Sequence, residues 1–171
     1  GRPDPALDAA STLPLATLRR LSQLCEAGGE IAAQGALAQL ALAAGLYAGP
    51  VPGPKALPPF GVWHPARGVI AEVPDGAAPL VLIPFYRAWA AAADTDGVAA
   101  LIRGFEAAGY RAAGLFVPSL KDPAAADWLR GLLPALAPAA VVNTTAFSAR
   151  AEGGSPLDAA GVPVFQAIHA T

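Results

Sequence analysis

Eight side chains have the types and positions to do chemistry. Arg87 follows the apolar run LVLIPFY (80–86), and Ser119 and Lys121 follow AAGLFVP (112–118). Asn143, Thr144 and Thr145 lie in a third run, AAVVNTT (139–145), with Ser148 just beyond it. Two cations accompanied by hydroxyl and amide groups form a set that can hold anionic, carboxylate-bearing molecules. His64, in GVWHPARG (61–68), is suited to relaying a proton or receiving a metal.

Each candidate also has a purely structural reading. Asp122-Pro123 is a good helix N-cap followed by proline at the first helical position. Ser119 fits the closing of a turn, and Asp94, Thr95 and Asp96 fit a helix start. Lys121 is different, because the helix dipole disfavours a cation at that end. A ligand or a buried carboxylate would account for it, and similar logic applies to Arg87. Asn143 needs partners if buried and either holds the adjacent loop or meets a ligand. A histidine before proline, as in His64-Pro65, also suits a plain turn. His169 reads as a strand terminus or rim residue, and Cys25 as core on a helix seam.

Positioning these residues takes an alternating series of elements. Strands are predicted near 80–85, 112–117, 139–144 and 163–168, with helices near 96–108 and 123–134. Continuously apolar strands alternating with helices predict a parallel sheet covered on both faces, a Rossmann-like or flavodoxin-like α/β unit. In such sheets ligands sit beyond the carboxyl ends of the strands, where Arg87, Ser119, Lys121, Asn143 and Ser148 fall. Residues 1–48 read as a helical segment. Leu15, Leu18, Leu21 and Cys25 line one helix, Gly28-Gly29 breaks the run, and Ile31, Leu37, Leu40 and Leu42 line a second. Residues 49–78 read as a Pro/Gly-rich connector, because the prolines of 49–66 disfavour helix and central strand. The α/β domain would then span 79–171 and continue past its C-terminal end.

Composition narrows the function. The chain has 171 residues, 54% of them hydrophobic and 14% charged, with a net charge of −2. No basic stripe marks a nucleic-acid partner. No window reaches the roughly 20 strongly apolar residues of a membrane span, so no membrane association is expected. One cysteine excludes an internal disulfide and a multi-cysteine metal site. With no signal-like N-terminus, a cytoplasmic location is expected. The absence of Met reads as a piece cut or processed from a longer protein. No GxxxxGK[ST] loop is present, so ATP hydrolysis by this chain is not expected.

The motifs FYRA (85–88), SLKDP (119–123), NTTAFSA (143–149) and SPLDAAGVPV (155–164), with GVWHPARG, jointly resemble a known family. The chain over roughly residues 57–167 is similar to the large subunits of aerobic cobaltochelatase, related to the magnesium-chelatase H subunit; Trp63 stands where the family usually has Tyr. The resemblance implies insertion of Co²⁺, as a substrate, into the corrin precursor hydrogenobyrinic acid a,c-diamide during cobalamin synthesis. It implies tetrapyrrole binding by this subunit and ATP hydrolysis by two partner subunits. Arg87 and Lys121 would pair with macrocycle carboxylates beside Ser119, Asn143 and Ser148, with His64 as the proton-transfer candidate; no metal ligand is assigned. Two other readings stay open. One is a scaffold or docking domain of such a chelatase, and the other is a small-ligand binding module.

Overall fold

The computed structural model describes residues 4–53, 57–145 and 154–168. The chain divides into two compact units, one of Gly1–Leu57 with Ala91–Ala93 and the other of Pro58–Ala90 with Asp94–Thr171.

The first unit holds helices α1 (Pro5–Ala10), α2 (Leu15–Ala27) and α3 (Glu30–Ala43). Asp4 caps α1 by accepting the Ala6 N–H at 2.9 Å. Gly28 and Gly29 turn α2 into α3 with φ of +67° and +83°, which side chains rarely adopt. The two helices approach through small residues: a Cβ on Gly35 would lie 2.8 Å from Leu24 Cδ2. Leu24, Ala32, Gly35 and Gln39 are therefore the buried positions. Two expectations need correction here. Cys25 is exposed, because Leu24 one position earlier faces α3. Ile31, Leu37, Leu40 and Leu42 are also exposed, since close helix contact selects the small side of α3.

The second unit is built on six strands: β1 (Gly61–His64), β2 (Gly68–Ile70), β3 (Leu80–Tyr86), β4 (Arg111–Val117), β5 (Ala140–Asn143) and β6 (Val164–Gln166). Their order is β2-β1-β4-β3-β5-β6. The four predicted strands are present and parallel where they pair, β3 with β4 and β5, and β5 with β6. Helix α4 (Arg87–Ala92) follows β3 directly, α5 (Asp96–Ala107) joins β3 to β4, and α6 (Pro123–Leu136) joins β4 to β5. A 3₁₀ turn, η1 (Pro156–Ala160), leads into β6.

The reading of 49–78 as a connector whose prolines exclude helix and central strand is corrected by the β1–β2 hairpin, which adds two antiparallel strands beside β4 and puts β1 inside the sheet. Pro58, Pro59 and Pro65 flank β1 rather than interrupt it, so its ladder keeps its N–H donors.

Leu80 and Leu82 of β3, Ala113, Leu115 and Val117 of β4, and Val141 of β5 pack with Leu129 and Leu133 of α6 and Leu157 of η1. The opposite face carries Val81, Ile83, Phe85 and Phe116, with α5 packed on β3 and β4 through buried Val98, Ala99 and Ile102. Phe85 meets Trp63 and Phe116 edge-on, at centroid distances of 5.9 and 6.2 Å. Gly114 makes room for this cluster, because a Cβ there would stand 2.8 Å from Phe85 Cε1. Gly114→Ala should overpack this face and cost about 1–3 kcal/mol. All three tryptophans lie in this unit, so a lowered urea midpoint in tryptophan fluorescence checks it.

Candidate functional site

The parallel strands run β4-β3-β5-β6, the flavodoxin-like order in which the chain winds one way from β3 and then the other. The switch point lies between the carboxyl ends of β3 and β5. Arg87 follows the first of these ends and Asn143 to Thr145 form the second.

Pro84 shapes this place. It lies in the central strand and has no N–H to donate. The β3–β5 register covers Val81 opposite Ala140 and Leu82 opposite Val141. Beyond it, the Pro84 carbonyl accepts both the Thr144 N–H, at 3.0 Å, and the Thr144 hydroxyl, at 2.8 Å. Side-chain chemistry thus takes over where the ladder stops.

Asn143 is buried and held on both sides. Its Nδ2 donates to Gln166 Oε1 at 2.9 Å, and its Oδ1 accepts from Thr145 N (3.1 Å) and Oγ1 (2.9 Å). Gln166 Nε2 donates to the Thr145 carbonyl at 2.9 Å and closes the circuit. Sequence reasoning missed Gln166, whose only signal was an amide inside an apolar run.

The turn after β4 gives each polar residue a distinct task. Leu120 is buried in the core and pins the turn. The Ser119 hydroxyl accepts the Lys121 N–H at 3.1 Å, and Asp122 caps α6 by accepting the Ala125 N–H at 2.9 Å. Lys121 is exposed, and its ammonium makes no ion pair among the described residues. Arg87 is half-buried and donates from Nε to the Pro58 carbonyl at 2.8 Å. Ser148 and His169 lie outside the described residues.

His64 stands apart from this rim. Gly61 is opposite Phe116 and Trp63 opposite Gly114, so β1 ends toward the amino end of β4, about 15–20 Å of strand from Ser119. Its ring is buried, with Nδ1 accepting the Ala66 N–H at 3.2 Å and Nε2 lying 2.9 Å from Glu106 Oε1. The Ala66 contact places the ring proton on Nε2, which donates to Glu106 of α5. The structure therefore groups Arg87, Ser119, Lys121 and Asn143 along one edge and leaves His64 at the other. Among the described residues, no three His, Cys, Asp or Glu side chains converge to hold a metal ion. No helix among them is long and apolar enough to cross a membrane.

The fold and its polar rim define a flavodoxin-like α/β domain with an added antiparallel hairpin. Residues 22–171 match the CobN/Magnesium Chelatase family model, and the chain belongs to that family. The match begins within α2, well ahead of the motifs that carry the resemblance in sequence. The chain is 34% identical over 187 residues to the aerobic cobaltochelatase subunit CobN of Sinorhizobium sp, covering 98% of this chain and 14% of that protein. The catalytic subunit of cobaltochelatase from Mycobacterium tuberculosis shares the fold at a TM-score of 0.68 and 24% identity, over 96% of this chain and 14% of that one. The chain thus spans about a seventh of the length of these relatives.

Asn143→Ala should leave the buried Thr145 N–H and hydroxyl without their acceptor and cost about 1–3 kcal/mol. A lower urea midpoint with an unchanged denaturant slope checks this.

Proposed function

We propose that the chain is part of the large, tetrapyrrole-binding subunit of an ATP-dependent cobaltochelatase, which inserts Co²⁺ into hydrogenobyrinic acid a,c-diamide in aerobic cobalamin synthesis. The observation that carries this reading is Lys121, an exposed cation without an ion pair among the described residues, on the switch-point edge of a domain of this family. Metal insertion requires the ring to be clamped, its pyrrolic protons removed and the cation desolvated. In this reading the rim performs the clamping. Lys121 and Arg87 pair with carboxylates at the macrocycle edge, while Ser119 and the Asn143 circuit fix the backbone that presents them. His64, tied to Glu106, sets the packing of β1 against α5 rather than meeting the ring. Co²⁺ is a substrate, and ATP is hydrolysed by two partner subunits. A cytoplasmic location accompanies this role.

A second reading draws on the same geometry. Ser119, Asp122 and Asn143 all have partners within the domain, as a scaffold or docking domain would require. Lys121 separates the two readings. In the whole subunit, Lys121→Ala should weaken tetrapyrrole affinity more than tenfold, as loss of a charge-assisted hydrogen bond of about 1.5–3 kcal/mol implies, with the thermal midpoint unchanged. Arg87→Ala should also weaken binding, with some loss of stability because its Nε holds the Pro58 carbonyl. Unchanged affinity in both variants would assign the domain to the scaffold.

A further inference from the structure

Among the described residues, the far edge of the sheet is open in an unusual way. β6 is the last strand, and all three of its residues are exposed, Val164 by 41% and Phe165 by 57%. Parallel strands are ordinarily buried on both faces, and an apolar edge is ordinarily charged or covered. The ladder also shows which amides face away from β5. Val141 N–H donates to the Pro163 carbonyl, and Ala167 N–H to the Asn143 carbonyl. Residues 163, 165 and 167 therefore turn toward β5, and the backbone N–H groups of Val164 and Gln166 turn outward.

The face beside this edge is equally open. Phe165 pairs with Val142, on the opposite side of the sheet from the Val141 cluster. That is the side where α5 packs on β3 and β4. Next to α5 runs an apolar groove of about 570 Å³, lined by Ala100, Leu101, Gly104, Phe105, Tyr110 and Ile168. Its position, between a helix and the end of the neighbouring edge strand, is where the next helix of a doubly wound sheet packs. Gly104 lets a backbone come close, since nothing lies within 4 Å of where its Cβ would be.

We propose that this edge and groove form an intramolecular seat, filled in the whole subunit by a further strand and helix of the same polypeptide. The strand pairs with β6, and the helix lies beside α5. A strand fits because an edge strand's outward N–H groups are a template for backbone pairing, and a helix fits because the groove runs along a helix. The same polypeptide is indicated because this chain covers only 14% of its relatives' length, leaving ample chain to supply both elements. The proposal rests on family membership and not on the tetrapyrrole reading.

The test is residue-resolved hydrogen exchange on the whole subunit. The amides of Val164 and Gln166 are expected to exchange at least about a hundredfold more slowly than unprotected amides. Rates typical of an open edge would overturn the proposal, and so would protection that vanishes on dilution to monomer, which would assign the edge to a second copy. Gly104→Leu in the same protein reads the groove by sign. On a free helix face the change improves helix propensity and raises the thermal midpoint. With a helix seated there it collides and lowers the midpoint, the expected result. A raised midpoint would refute the seat even if the edge amides were protected.

Discussion

β3 is the constraint on which the sheet-bearing unit depends. Leu80 to Phe85 are buried one after another, so their backbone groups must find partners on β4 and β5. Seven residues of β3 pair in register with β4, which satisfies one side along its whole length. On the other side Pro84 supplies an acceptor but no donor, and the paired register with β5 stops at Leu82. Thr144 then occupies the Pro84 carbonyl twice, through its N–H and its hydroxyl. One residue in the central strand thus fixes where the strands stop pairing and hence where the polar rim begins.

The same economy governs the turn from β4 to α6. An apolar anchor, Leu120, sets the depth of the chain, and Asp122 satisfies an N–H that α6 would otherwise leave without a partner. Between them Lys121 is forced outward, into the helix N-terminal field that disfavours it. The turn would be as well built with a neutral residue at that position, since the Ser119 hydroxyl engages only the Lys121 backbone. The Lys121 side chain can therefore be changed without disturbing the turn, whereas that of Asn143 cannot be changed without breaking its circuit.

The elements from β3 to β5 were legible because strands buried on both faces read as unbroken apolar runs and their helices carry a 3.6-residue period; β6 was legible from its apolar run alone, although its residues are exposed. The β1–β2 hairpin was not, because a four-residue strand between prolines looks like a connector until β4 is there to pair with it. The helical hairpin misled through its Ala-rich background. Large residues ordinarily mark the buried side, but close approach at Gly35 put the small side inward and left Leu37 outside. The surroundings of His64 were not legible either. Its partner Glu106 is 42 residues away on a helix, and only the antiparallel register of β1 shows that it points to the far end of the strands. At the rim, strand ends located Arg87, Ser119, Lys121 and Asn143, but not which of them already had partners.

That distinction bears on how the rim can act. A buried amide circuit such as Asn143–Gln166–Thr145 is satisfied only while β5 and β6 keep their register, because it joins the ends of both strands. Anything that steadies β6 therefore steadies Asn143, and with it Thr144 on Pro84 at the switch point. β6 is the strand with the least support on its own, three exposed residues at the edge of the sheet. The end of β6 is thus joined to the end of β5 by the Asn143 circuit, and β5 to the carboxyl end of β3 by Thr144 on the Pro84 carbonyl.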